Sequence, residues 1–385
     1  MTPDESRDAE KAQIVLIDDD GAIESTLQSS TYDLTAWHPD ELDDPEFRDF
    51  LFAADVVLVD QQLYGDAETQ PPLPSDGLSL LAVLQRFVAR ELPDQLISFA
   101  LYSGALASLS TLPGETRAHV IARMNGFEWA FGKGETSNVA DVITSVRALG
   151  LATQAARSEL KKTTRAVDRV DAITDLLKLP SGGDWAASGK RQMLSCHPPV
   201  SEVVTDTSGG AFLRWLLHRV LPYPTFLYGE AHIAARVGLP LDQVSELLRG
   251  ELGAILRSSR YVGVLSDFDG DRYWRSGVEA ALSELTSGDE SDSAVLRDAL
   301  VNRIPVQLNF VEHPRPVLAL DAMYNALNLP QDPKLTVRIQ PDDWPAYAEP
   351  ARVLSELALE DPDIMALVLA ADRQRLVGGH QQSGS

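Results

Sequence analysis

Residues 14–20 read IVLIDDD: four apolar residues run straight into three carboxylates. A short Ile/Val/Leu run bounded by polar residues suits a strand buried on both faces of a parallel sheet. Three adjacent carboxylates repel one another, so the end of that strand must either stand in solvent or hold a cation. What the fold brings to the same edge decides between the two.

The pattern recurs downstream. DVVLVD (55–60), LISFALYSG (96–104) and FEWAFGKGE (127–135) are short apolar runs ending in polar residues, and GLSLLAVLQRFVAREL (77–92) has helical periodicity. Apolar strands alternating with amphipathic helices predict an α/β domain, a parallel sheet with helices on both faces and functional groups at the carboxyl ends of its strands. Asp18, Asp19, Asp60, Ser103 and Lys133 all fall at such ends. Brought together, three carboxylates would favour a hard divalent cation such as Mg²⁺, with Lys133 as a fixed positive charge and Ser103 as a hydrogen-bond donor. Asp20 is expected to stay solvated or cap the first helix.

At 385 residues and 44% hydrophobic content, the chain has material for two domains. No apolar run reaches the roughly 18 residues needed to cross a bilayer, and the start MTPDESRDAEK is polar and acidic, so a cytoplasmic protein without membrane contact is expected. The 33 basic against 57 acidic residues give a net charge of −24, which disfavours nucleic acid as the main partner. Cys196 is the only cysteine, so neither an internal disulfide nor a cysteine-rich zinc site can form, and the neighbouring Cys196-His197 pair is too small a ligand set to specify a metal.

The ordered set LIDDD, VVLVDQQL followed by DGLSLL, ALYSG and the late Lys133 resembles the receiver domain of bacterial two-component response regulators over about residues 12–150. The resemblance implies a flavodoxin-like, doubly wound, five-stranded parallel sheet. It implies Mg²⁺ held by Asp18, Asp19 and Asp60, with Asp60 as phosphoacceptor, Ser103 as switch hydroxyl and Lys133 as partner of the acyl phosphate. A histidine kinase or kinase-like ATPase would act upstream and an effector protein downstream. Three features depart from the family: QQLYGDAETQPPLPS (61–75) is much longer than the usual turn and reads as a flap, Gly134 stands where Pro is typical, and Trp129 and Phe131 miss the customary switch spacing. A phosphorylation-independent pseudo-receiver is the alternative they raise.

Residues 139–177 carry a three-four repeat of apolar and small residues that suits one long helix, serving either as a homodimer seam or as a linker helix. LPSGGDWAASGK (179–190) reads as a flexible linker. The expected organisation is therefore a disordered acidic start (1–11), a receiver-like domain (12–150), a linker helix and flexible linker (151–190), a mostly α-helical effector domain (191–376) and a disordered tail (377–385).

In the second half, EAHIAARVGLPLDQVSELLR (230–249) has helix-turn-helix spacing, with Ala234 for close packing, Gly238 for the turn and Val244 inside. Gln243, Ser245 and Arg249 are its candidate DNA contacts, but Asp242 and Glu246 share that helix and oppose phosphate. YVGVLSDFDGDRYW (261–274) is similar at Asp-Phe-Asp-Gly to the nucleophile motif of haloacid-dehalogenase-type phosphatases, yet Asp271 stands where that family has Thr. The spacing also fails the calcium-loop pattern, so a solvated acidic turn is the plainer reading. LPYPTFLYGE, RYWRSG and QPDDWPAYAEP cluster aromatics for a core or a partner groove. A protein-interaction output ranks first, a DNA-binding regulator second, an enzymatic output third.

Overall fold

The computed structural model describes residues 11–382 except 21, 64–75, 105, 107, 108, 110–116, 134–137, 161–165, 181, 183, 184 and 201–208. Five strands alternate with helices through the first part: β1 Ala12–Ile17, α1 Ala22–Leu27, β2 Tyr32–Trp37, α2 Pro45–Ala53, β3 Val56–Asp60, α3 Gly77–Glu91, β4 Ser98–Ser103, α4 Ala118–Asn125, β5 Trp129–Gly132 and α5 Val139–Leu160. The sheet is parallel throughout, in the order β2-β1-β3-β4-β5. This is the flavodoxin-like order, in which the chain reverses its direction of winding between β1 and β3.

The strands read as continuous apolar runs because both faces are covered. Ile14, Leu16, Val56, Leu58 and Ala100 face Val146 and Leu149 of α5, whereas Val15, Ile17, Val57, Val59 and Leu101 face α2, α3 and α4 through Leu51, Leu80 and Ile121. Strand β2 was not read from the sequence. It lies on the sheet edge, and only Tyr32 of YDLTAW is buried, so it lacks the apolar density that marked the others.

The expected single helix over 139–177 is two helices. Helix α5 ends at Leu160, and α6 (Ala166–Leu176) packs against it, which consecutive turns of one straight helix cannot do. The residues proposed as a dimer seam, Val142, Val146, Leu149, Thr153, Ala156 and Leu160, are buried within the chain against the sheet and the second half. Nor do residues 151–190 stand apart as a solvated linker. Ile173 and Leu177 are fully buried, and helix α7 (Ala186–Ser195) begins inside the stretch read as flexible, with Trp185 beside Trp274 at 6.4 Å between ring centroids.

Helices in the second half are interrupted by two antiparallel strand pairs, Leu227–Tyr228 with Tyr273–Trp274 and Thr336–Ile339 with Ala351–Leu354. The stretch 305–332 is mostly irregular. A last helix, Ala370–Gln382, carries regular backbone into the segment expected to be a disordered tail, while residues 1–10 and 383–385 lie outside the described residues. One apolar cluster runs from Ile14 and Leu58 through α5 to Phe212, Leu216, Phe268 and Trp274, so the two halves share a core. No helix among the described residues is long and apolar enough to cross a membrane.

Their seam lies along β5, the other edge of the sheet. Trp129 packs edge-on against Phe268 at 4.9 Å, and His218 bonds the Glu128 carbonyl at 2.8 Å through Nε2. Below it, Arg117 and His119 at the start of α4 meet Asp343 and Tyr223. Arg117 donates to Asp343 Oδ2 at 2.7 Å, and His119 Nε2 lies 3.1 Å from the Tyr223 hydroxyl.

Candidate functional site

Strand register explains why five residues far apart in sequence can meet. Ile17 pairs with Val59, Asp60 with Tyr102 and Ser103 with Gly132, so the strands end level. Asp18 follows β1, Asp60 closes β3, Ser103 closes β4 and Lys133 follows β5. Oxygen atoms of Asp18, Asp19 and Asp60 lie within 4.8 Å of one another, and this is the group among the described residues with the carboxylates to hold a metal ion. Lys133 Nζ is 2.9 Å from Asp18 Oδ2 and 2.9 Å from Asp60 Oδ1. Its ammonium also lies 4.8 Å from the centre of the Tyr102 ring. The Lys133 backbone N–H donates to the Ser103 carbonyl at 2.8 Å, which ties the β4 and β5 ends together.

Asp18 and Asp60 are buried and Asp19 is partly exposed, so the cluster is a pocket open on one side. Burial raises the Asp60 carboxyl above its ordinary value; Lys133 pulls the other way and the Asp18 charge adds to the rise. Asp18 also accepts the Asp20 backbone N–H at 2.8 Å, so its loop is held by the same carboxylate that faces Lys133. The oxygen-only donor set fits a small hard cation and lacks the nitrogen or sulfur ligands that zinc or copper would favour.

Two residues of DG (76, 77) explain how the pocket floor is built. Asp76 caps α3, its carboxylate accepting the Ser79 N–H at 2.9 Å. Gly77 is required by closeness: a Cβ there would sit 2.0 Å from the Asp60 carbonyl oxygen. Helix α3 therefore starts directly against the backbone of Asp60, and Gln62 bridges to Asp76 across the base of the long insertion. The flap itself, 64–75, lies outside the described residues.

Sequence reasoning missed Tyr102, which borders Lys133, and Asp343, which ties α4 to the second half. Tyr102 looked like any strand aromatic; its position opposite Asp60 in the register was the available signal. Asp343 has no local signal, because its partners are more than 100 residues away in sequence.

The second-half candidates fall otherwise. Ala234 and Val244 are buried and Gly238 adopts φ 74°, the left-handed turn expected of a helix-turn-helix. In the would-be recognition helix (Leu241–Leu248) Asp242 and Glu246 are exposed, while Gln243 and Ser245 are half-buried and bonded within the chain. Gln243 donates to the Gln307 carbonyl at 2.8 Å and accepts the Asn309 N–H at 3.0 Å, while Ser245 bonds Glu230. Arg249 alone of the three candidates is exposed. Asp267, Asp269 and Asp271 do not converge; each takes its own arginine, Arg147, Arg272 and Arg260. Cys196 is buried, its thiol pushed up to about 11 mainly by burial, which suits packing better than metal ligation.

No protein-family model matches the chain, and no curated protein matches it.

Proposed function

We propose that the chain is a response-regulator-like signalling protein whose first domain accepts a phosphoryl group on Asp60. The observation that carries this reading is the meeting of Asp18, Asp19 and Asp60 with Lys133 touching two of them, at the carboxyl edge of a parallel sheet in the 2-1-3-4-5 order. A carboxylate nucleophile beside two further carboxylates and a lysine has the parts for metal-assisted phosphoryl transfer.

Asp18, Asp19 and Asp60 would hold Mg²⁺, which when bound supplies charge neutralisation around the transferring phosphoryl group. An Asp60 carboxylate oxygen attacks phosphorus, the new P–O bond forms as the bond to the donor breaks, and the donor leaves with the electron pair. Lys133, already against Asp60, is placed to pair with the phosphoryl oxygens. The added charge of nearly −2 then favours an arrangement in which the Ser103 hydroxyl turns toward it.

The chain after Ser103 leads to Arg117 and His119, which hold Asp343 and Tyr223. A shift at Ser103 is thereby passed to contacts between the halves, and the output is a changed surface for a downstream effector protein. A histidine kinase or kinase-like ATPase is the upstream donor in this reading. Incubation with acetyl phosphate and Mg²⁺, followed by intact-mass analysis, tests it: one phosphoryl adduct is expected on the wild type and none on Asp60→Asn. No adduct on the wild type, or an undiminished one on the variant, removes Asp60 from the role.

A further inference from the structure

A second polar site lies on the far side of the seam. A cavity of about 600 Å³ opens between the start of α4 and the second half. Arg117 and His119 form one wall, and five arginines among the described residues reach its lining, in a chain whose net charge is −24. Two of these are engaged by acids: Arg117 by Asp343, and Arg236 by a bidentate contact to Glu279 at 2.8–3.0 Å.

Arg297, Arg315 and Arg352 differ. Among the described residues none of them has a carboxylate within ion-pair distance. Arg297 donates to the Val311 and His313 carbonyls, Arg315 to the Ser291 carbonyl at 3.4 Å, and Arg352 to the Thr336 hydroxyl at 3.1 Å. Burial, with Arg338 close by, pushes the Arg352 guanidinium below its ordinary value. Arg297 and Arg352 are half-buried, and partly desolvated cations without counter-charge are costly, a cost that a bound anion would offset; Arg315 adds an exposed cation. The guanidinium fork matches phosphate oxygens in particular.

The remaining wall favours more than a bare anion. Tyr228 stacks on His232 with centroids 5.5 Å apart and planes 14° from parallel, and Tyr324 and Trp344 also line the space. His232 Nδ1 is buried with no hydrogen-bond partner among the described residues. Unmet hydrogen-bonding capacity beside aromatic planes suits a ligand with a flat ring and several hydroxyl or amino groups. The other lining carboxylate, Glu349, is already paired with Arg275 at 2.6 Å.

We propose that this cavity binds a nucleoside phosphate, its phosphates on Arg297, Arg315 and Arg352 and its base among the aromatic residues. The volume lies within the range of roughly 300–1,000 Å³ usual for small-molecule sites. The site is separate from the Asp60 pocket, so it stands or falls independently of the phosphoryl-acceptor reading.

Isothermal titration of the full chain in EDTA, with AMP, ADP, ATP, GMP, GDP, GTP and inorganic phosphate as probes, tests it. At least one nucleotide is expected to bind at micromolar concentration and at least tenfold more tightly than phosphate. Arg315→Gln and Arg352→Gln should each weaken it tenfold or more, and Asp60→Asn should leave it unchanged. Arg315 is exposed, so its substitution tests the site without threatening the fold. Absence of binding by every nucleotide at millimolar concentration, equal affinity for inorganic phosphate, or affinity unaltered in Arg315→Gln would overturn the assignment.

Discussion

IVLIDDD (14–20) and YVGVLSDFDGD (261–271) each set aspartates behind an apolar run, and the fold uses them in opposite ways. At the first, strand ends in register carry acids from two strands into one pocket, and a single lysine lies 2.9 Å from two of them. At the second, a tight turn with Asp269 at φ 53° and Gly270 at φ 86° spreads its acids outward, each to a separate arginine. The buried residue of that turn is Phe268, wedged against Trp129 and Phe131 of β5. Carboxylates make a site when the scaffold converges them; otherwise they solvate a turn that exists to place an aromatic ring.

The largest expected effect is chemical. Asp60→Asn should abolish the phosphoryl adduct formed with acetyl phosphate and Mg²⁺, whereas Asp267→Asn should form it at the wild-type rate. The reverse pattern by intact mass would transfer the phosphoryl chemistry to the second half and invert the comparison.

Next in size is the packing at the seam. Phe268→Ala removes a fully buried ring from the contact between the halves and should cost about 3–5 kcal/mol in urea unfolding. A loss under about 1 kcal/mol would mean that the wedge against β5 contributes little and that the shared core is carried elsewhere.

The two regions should also respond to acid with opposite signs. The native state holds the Asp60 proton more tightly than the unfolded chain, so between the ordinary carboxylate value and the raised one this group loses stability as pH rises. Asp60→Asn should therefore raise the thermal midpoint at neutral pH, with the advantage vanishing at low pH. At the seam, burial pushes His218 down to about 4, with its bond to the Glu128 carbonyl opposing the shift. Below the ordinary histidine value the unfolded chain takes a proton that the native state refuses, so stability falls as pH drops from about 6.5 to about 4. His218→Asn should flatten that part of the profile, and an unchanged slope would remove His218 as its source.

How much of this was legible follows from where the information sits. Asp18, Asp60, Ser103 and Lys133 each end an apolar run, and alternating strands and helices dictate a common edge, so the pocket could be assembled from local pattern and connectivity. Strand β2 could not, because an edge strand with five of six residues at least partly exposed lacks the signature. The repeat over 139–177 does mark buried faces, but periodicity is blind to whether the partner is another chain or the same one folded back. Asp343 and the arginine-lined cavity depend on contacts between segments more than 100 residues apart, for which no local spacing exists.

The smallest expected effect separates the two acidic stretches most sharply. The pairs Arg147–Asp267 and Arg260–Asp271 are substantially solvent-exposed on both sides, where an ion pair contributes about 0.5 kcal/mol or less. Asp269 already occupies a left-handed conformation that asparagine tolerates, so Asp269→Asn carries no backbone penalty. A triple Asp267→Asn, Asp269→Asn, Asp271→Asn variant should then stay within about 2 kcal/mol of wild type, two pairs exposed on both sides at that rate and the third, Arg272–Asp269, exposed on its acid side alone at about 1 kcal/mol or less. It should also keep the full rise in thermal midpoint that millimolar Mg²⁺ gives the wild type, because a cation is stabilised where carboxylates converge and can recruit little from acids already paired with arginines. Asp18→Asn should lose that rise. If the triple variant lost it instead, the second stretch would be the cation site, and the convergence at the carboxyl edge of the sheet would be an arrangement held by Lys133 alone.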